Sequence, residues 1–497
     1  MKMNIYKSTI AMMIMAMVAL TSCDDFLDRE PTNSANADKA IATTRDARVA
    51  INGMMHEMSS SAYYGRNFLL YGDAKGGDLT LYENGRGNDA LYSFNHTPTS
   101  GSYSGFWSTI YDCVMQVNNL LENIDKLQAG GGASDFDYYK GEALSLRALF
   151  YFDLVRLYGK PYNYDKQSLG VPLVLKTLDA SAQPARATVE EVYAQIVKDL
   201  EDGQKLMASD KNHYNGYLDY WGNRALQAKV KLYMDDYAGA LDAAEEVMES
   251  GKFELYKPEA WCDSWAREYG SESIFEIGID TQSDLQQTSL GYYYMRAAQK
   301  KNAMGWFLAS DYFLNRLAQD DTDVRWGVMD NDESWSDTKV ERKGACYKYM
   351  GGLDMRGDGK ESTTAVNIKV MRLSEVYLIA AEAALHTGAA DKAANYLNDI
   401  RCRAPKLAPA TPTTVSDDMI LDERSKELFG EGQRFFDMMR MNRKVEFNDD
   451  FRDVPVTRRL KTIDRTFGGI VLPIPQDEIN ANPNIAGQQN EYYTANN

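Results

Sequence analysis

Glu423, Glu427, Glu431 and Asp437 fall within one short stretch near the C-terminus of the 497-residue sequence. Carboxylates paired about 5 to 9 Å apart are the chemistry of glycoside hydrolysis, and residues four apart share a helix face. Arg424, Lys426 and Arg434 lie beside them, however. Acids interleaved with bases predict an ion-pair network that holds two helices together. Metal and nucleophile chemistry has less to work with. His56, His96, His213 and His386 show neither HExxH nor any paired spacing. There is no GxSxG, no phosphate loop and no Cys/His pairing. Asp354, Asp358 and Gly359 have the acids and glycine of a calcium loop without the alternation of an EF-hand. No metal and no cofactor are expected.

The sequence holds 32 Tyr and 7 Trp against 17 Phe. Tyr and Trp pair a flat apolar face with a polar edge, which suits cores and wet binding surfaces alike. Many lie in two stretches without helical period. Residues 59–106 dissolve into Gly, Asn, Ser and Tyr; loops this long inside a compact protein are functional or disordered, and the tyrosines argue against disorder. Residues 280–367 carry Tyr292, Tyr293, Tyr294, Trp306, Trp326 and Trp335 among many Gly and Asp. Lys and Arg total 54 against 72 Asp and Glu, a net charge of −18. A surface that acidic repels phosphate backbones, so nucleic acid is not an expected partner.

Helices must position these residues. Amphipathic or apolar patterns predict helices over 46–58, 107–127, 141–158 and 188–207. The third is apolar on nearly every face, as a buried central helix is, and Gly159, Lys160 and Pro161 stop it. The fourth opens on Thr188, Glu190 and Glu191, acids suited to a helix N-terminus. Two later segments repeat one spacing. Ala228, Ala240, Ala244 and Val247 match Ala381, Ala393, Leu397 and Ile400 offset for offset. Small residues on either side of a tight turn let antiparallel helices approach closely, as in tetratricopeptide hairpins; internal packing is the expected role. Residues 271–279 are the best strand, and 471–475 must be extended because each residue before Pro avoids the α region.

At the N-terminus, Lys2 and Lys7 precede an apolar run from Ile10 to Leu20. A bilayer needs roughly 20 residues, so the run reads as a secretory signal. It ends Leu20-Thr21-Ser22-Cys23, which resembles a bacterial lipobox and predicts lipidation of Cys23; an ordinary signal cut is the alternative. Cys113, Cys262, Cys346 and Cys402 remain, far apart and outside any zinc spacing. An exported compartment would permit disulfides between them, and buried free thiols fit equally well.

Four segments together resemble one family. The start at Cys23, Asp24, Asp25, Phe26, Leu27 and Asp28 with Pro31 resembles the mature N-terminus of SusD/RagB surface lipoproteins. Arg372 to Ala383 resembles their repeat helix. Leu421 to Arg424, Glu427, Leu428, and Glu431 to Asp437 resemble their C-terminal block. Leu472 to Pro475, Gln476, Glu478, Ile479 and Asn482 to Asn484 resemble their terminal segment. The resemblance implies a mostly α fold: a tetratricopeptide-like helical scaffold with long irregular loops and a few short strands. It divides the chain into a signal peptide (1–22), a lipidated tether (23–40), an N-terminal helical region (41–270) and a C-terminal region (271–497) packed on the same body. It further implies a non-enzymatic lipoprotein on the outer face of the outer membrane. Such a protein would capture oligosaccharides and deliver them to a SusC-like TonB-dependent transporter. A peptide-binding member of the family, or a surface glycosidase using the acidic helix, are the alternatives.

A pyranose offers an apolar C–H face that a Tyr or Trp ring can cover, worth about 1 kcal/mol per stacked sugar at roughly 25 cal/mol/Å². Asp, Asn and Arg side chains would hold the hydroxyls. The expected ligand residues are Asp78, Tyr82, Arg86, Asn88 and Tyr92 in the first irregular stretch, and Tyr292, Tyr294 and Trp306 in the second. Trp107, at a helix head, reads as core. Trp326, after Asp323 and Arg325, reads as part of a structural turn.

Overall fold

The computed structural model describes residues 41–82, 92–99, 105–131, 134–179, 181–296, 303–334, 341–350, 362, 364–448 and 460–494. Cys23, Arg86, Asn88, Trp335 and the acidic segment at 354–359 lie outside them.

Helices make most of the body. The first half runs α1 (Thr44–Met58), α2 (Asn67–Ala74), α3 (Gly105–Ala129), α4 (Asp137–Tyr158), α5 (Val189–Met207), α6 (Tyr220–Tyr233) and α7 (Tyr237–Met248). The second half includes α8 (Leu290–Tyr294), α9 (Asp311–Leu317), α10 (Leu373–His386), α11 (Ala390–Arg401), α12 (Asp417–Glu427) and α13 (Arg434–Arg440), with other short helices left unnumbered. Among the described residues no helix is long and apolar enough to cross a membrane.

Local chemistry explains the boundaries. The Thr188 hydroxyl accepts from the Glu191 N–H at 3.2 Å, and the Glu191 carboxylate accepts from the Thr188 N–H at 2.8 Å. This capping box satisfies two donors that the first turn of α5 would otherwise leave open. Helix α4 is buried all round from Gly141 to Tyr158 and ends at Gly159. It is the central helix, flanked by α3 and α5.

The repeated spacing marks two helical hairpins, α6–α7 and α10–α11, as expected. All eight matching residues, from Ala228 to Ile400, are fully buried. The hairpins also pack on one another through α7 and α10. Tyr237 stacks on His386 at 4.2 Å, nearly parallel. The Tyr396 hydroxyl donates to Glu245 at 2.7 Å. A second apolar cluster, with Leu378, Ala381, Leu397 and Ile420, fills the space under α10, α11 and α12.

Strands are short. β1 (Leu79–Leu81) pairs with β3 (Phe307–Ala309), and β2 (Ser273–Ile277) with β6 (Ile368–Arg372). β4 (Met329–Asp330) pairs with β5 (Ala345–Cys346), and β7 (Val445–Glu446) with β8 (Thr462–Ile463). All four pairs are antiparallel, with Thr80 opposite Leu308 and Glu276 opposite Lys369. Residues 472–475 lie outside any helix or strand, and the backbone is extended at Val471 and Pro475, consistent with the prolines.

One stretch is more ordered than its composition predicts. Residues 67–74 form α2 rather than loop, and every residue from Phe68 to Ala74 is buried. A helix covered on all sides has no apolar stripe, so the period that would announce it is absent. Phe68 and Tyr71 meet Phe436 and Phe435 from α13, which is what covers them. Cys113, Cys262, Cys346 and Cys402 are all free thiols.

Candidate functional site

The β1–β3 pair brings the two irregular stretches together. The N–H of Tyr82 donates to the carbonyl of Trp306 at 2.9 Å. Helix α8 is started by Ser289, whose hydroxyl accepts from the Tyr292 N–H at 3.2 Å. The Tyr292 carbonyl then accepts from the N–H groups of Met304 and Gly305 at 3.0 and 3.2 Å. Tyr82 thus sits on backbone adjoining Tyr292 and Trp306, more than 200 positions further along the sequence. Tyr82 and Tyr292 are half-buried, and Trp306 is 8% exposed.

Two arginines complete the cluster. The Arg296 guanidinium lies 3.5 Å from the centre of the Tyr82 ring, and its Nε is 3.1 Å from Glu333. Arg66 lies 4.7 Å over the Tyr293 ring and donates to the Tyr293 hydroxyl and the Thr288 carbonyl, each at 3.2 Å. The Tyr347 hydroxyl donates to the Arg296 carbonyl at 2.6 Å. Phenol rings offer apolar faces, and guanidinium forks offer donors for paired oxygens. Such a surface can hold a flat, hydroxyl-rich ligand.

Of the other expected ligand residues, the three that are described, Asp78, Tyr92 and Tyr294, are buried beneath this surface. Asp78 is 3% exposed, with one oxygen 3.0 Å from Arg316 and the other accepting from the Ser425 hydroxyl at 2.5 Å. Burial pushes its carboxyl up, but Arg434 and Arg316 outweigh that and hold it below its ordinary value. Tyr92 is 1% exposed and packs edge-on against Phe447. Tyr294 is fully buried, its hydroxyl donating to Asp73 at 2.8 Å. These three are corrected from ligand contacts to supports: the polar groups that suggested recognition satisfy one another in the core. Arg66, Arg296, Glu333 and Tyr347 were not expected. The only signals for them were an arginine just after Tyr63, Tyr64 and Gly65, and another just after the 292–294 tyrosine run. Trp107 is core at 6% exposure, with its indole N–H donating to Glu478.

The acidic set is an ion-pair network, not an open carboxylate pair. Glu423 meets Arg325 at 2.6 Å, and Glu431 meets Arg372 and Lys348 at 2.7 Å each. Glu427 meets Arg372 at 3.0 Å and also Arg403. Asp437 meets Arg424 at 2.7 Å and Arg440 at 2.8 Å. All four acids are buried. Burial pushes the Glu427 carboxyl up, yet Arg403, Arg372 and Arg325 together hold it well below the usual carboxylate range. Glu423, Glu431 and Asp437 are lowered too, burial being outweighed by Arg325, Arg372 and Arg424 in turn.

These shifts set the acid limb of stability. Groups lowered in the folded chain contribute stability above their unfolded values, and that contribution is lost as pH falls through the folded ones. Glu142 opposes this, because burial, only partly offset by Arg48, pushes it up to about 7. Its effect is a gradual loss of stability as pH rises from about 4.5 to 7. The urea midpoint is therefore expected to vary gently near neutrality and to collapse below about pH 4. A midpoint unchanged down to about pH 3 would contradict the network's role.

A model described as the SusD family matches residues 201–493, more than half of the chain. The chain belongs to the SusD/RagB family. A second model, described as starch-binding associating with outer membrane, matches residues 25–232. A SusD superfamily protein of Bacteroides thetaiotaomicron is 33% identical, with a TM-score of 0.80 over 90% of this chain and 100% of its own. A SusD-like protein of Formosa agariphila is 24% identical over 88% of this chain and 91% of its own. A laminarin-binding SusD-like protein shares the fold at 21% identity, with a TM-score of 0.69 over 90% of this chain and 99% of its own. Within the SusD family match lie both hairpins, Tyr292, Trp306 and the ion-pair network; Arg66 and Tyr82 fall in the second.

Proposed function

We propose that this chain is a glycan-capture lipoprotein of the outer membrane surface. Acyl chains on Cys23 would anchor it, with residues 23–40 as tether, facing outward. It would hold oligosaccharides at Tyr82, Tyr292, Trp306 and the segment containing Arg86 and Asn88, and pass them to a SusC-like TonB-dependent transporter without altering a covalent bond. The observation that carries this reading is the convergence of half-buried tyrosines and two ring-stacked arginines from distant segments on one surface. The starch-binding description of the second family model and the laminarin-binding neighbour support a carbohydrate cargo. The burial and pairing of the acids near 423–437 support the absence of hydrolysis.

Affinity should lie between micromolar and millimolar, about 4 to 8 kcal/mol, weak enough for release to a transporter. Isothermal titration with laminari- and malto-oligosaccharides, beside a glycan array, tests it. Each of Tyr82→Ala and Tyr292→Ala is expected to weaken binding about fivefold, the loss of one stacked ring, with the melting curve preserved. Absence of affinity for every glycan, or tightly co-purifying peptides in a mass spectrum, would overturn the reading. Labelled palmitate should enter the wild-type chain and not Cys23→Ala.

A further inference from the structure

A cavity of about 500 Å³ lies between the turn that follows α4, residues 465–471 and the C-terminal segment. It shares no lining residue with the Tyr82–Trp306 cluster. Its size falls within the range of roughly 300 to 1,000 Å³ that ligand sites occupy. The walls mix rings and charges: Tyr164, Phe467 and Tyr492 with Lys160, Arg465 and Glu491.

The rings form a corner. Phe467 and Tyr492 meet at 5.2 Å and 74°, and Tyr164, 38% exposed, faces the Arg465 guanidinium at 4.9 Å. The backbone behind them is fixed. The Asn490 amide donates to the carbonyls of Leu472 and Tyr158 at 2.7 and 3.1 Å, and its oxygen accepts from Arg186 at 3.0 Å. Gln489 pairs with the Ile474 backbone in both directions at 2.9 Å. The Tyr493 hydroxyl donates to the Val471 carbonyl at 2.8 Å. A frame so bonded holds the cavity open.

The charges differ in what they are free to do. Lys160 is paired with Asp165 at 2.9 Å. Among the described residues Arg465 makes no ion pair or hydrogen bond; it stacks on Tyr164. The adjacent Asp464 accepts from the hydroxyl and N–H of Thr466 at 2.6 and 2.9 Å, which lower its carboxyl, and Arg465 helps to lower it. A guanidinium fixed by its face keeps its in-plane donors for a ligand, and that fork matches the two oxygens of a carboxylate.

We propose that this cavity is a second saccharide site, specific for a pyranose that carries a carboxylate. The sugar ring would occupy the Phe467–Tyr492 corner and its carboxylate the Arg465 fork. The site is independent of the reading given for Tyr82 and Tyr292.

The test titrates the full chain with a uronic-acid trisaccharide and with its carboxyl-reduced, neutral counterpart. The acidic probe is expected to bind about tenfold more tightly, since only it makes the charge-assisted fork. Arg465→Gln should abolish that preference, Tyr492→Ala should weaken the acidic probe about fivefold, and Tyr82→Ala should leave the preference for the acidic probe intact. Arg465 is half-buried on the surface, so its variant decides the matter even if Tyr492→Ala fails to fold. Binding of neither probe, equal binding of both, or a preference surviving Arg465→Gln would each overturn the proposal. Loss of the acidic preference in Tyr82→Ala instead would assign it to the other cluster and overturn the proposal equally.

Discussion

Replacing Arg372 with alanine is expected to lower the unfolding free energy by about 3 to 5 kcal/mol, the cost of breaking a buried ion pair by removing one partner. Arg372 is 4% exposed and precedes α10. Its guanidinium meets Glu272 at 3.1 Å, Glu427 at 3.0 Å and Glu431 at 2.7 Å, and also donates to the Glu427 carbonyl at 3.0 Å. Alanine would leave three acids, from β2's leading edge, α12 and the turn after it, facing one another with less positive charge. Arg403 and Lys348 would still reach Glu272, Glu427 and Glu431, which keeps the loss from growing with the number of acids. Arg372→Lys should fall between, because an ammonium keeps the charge but not the planar fork. Urea denaturation followed by tryptophan fluorescence measures both. A loss below about 1 kcal/mol for alanine, the scale of an exposed pair, would mean that the network is not structural.

The second large effect is expected at Gly432. Its φ of +74° lies where a side chain costs about 1 to 2 kcal/mol. A Cβ there would also stand 2.6 Å from the Cα of Leu69 in α2, backbone that has nowhere to go. Overpacking of this kind adds about 1 to 3 kcal/mol, so Gly432→Ala should lose about 2 to 5 kcal/mol in all. Gly388→Ala is the internal comparison. Its φ is +82° but nothing lies within 4 Å of the added carbon, so only the backbone part should be lost. Equal losses for the two variants would show that close approach at Gly432 does not matter. The same joint bears on ligand capture. The Gly432 N–H donates to Asp73 at 3.0 Å, and the other Asp73 oxygen receives the Tyr294 hydroxyl. Forcing α2 away from residue 432 should therefore disturb α8 and weaken glycan binding through Tyr292.

The two predictions share a cause with the way the expected site residues divided. Asp78 and Tyr294 have the side chains of a ligand surface, and in the chain they stand beside residues that do lie on one. Whether a polar side chain meets ligand or another residue depends on what the rest of the chain brings to it. Arg316, Ser425 and Arg434 come to Asp78 from far along the chain, and Asp73 comes to Tyr294. Tyr82 stays half-buried just past the end of β1, and Tyr292 stays half-buried within the short helix α8.

What the linear pattern determined by itself was local. The capping residues around Thr188, the nearly all-round apolar character of α4, the stop at Gly159 and the matched offsets of the two hairpins are carried by residues within a few turns of one another, where a linear pattern can report them. The alternation of acids and bases after residue 420 likewise foretold the ion pairing found there. Tertiary structure decided which partners complete each pair and which aromatics stay open. Arg325, Arg372 and Arg403 reach Glu423 and Glu427 from separate elements, and no spacing encodes that meeting. Helix α2 was hidden for the same reason: when neighbours cover every face, the contrast between apolar and polar sides, which is the signal a sequence carries, disappears.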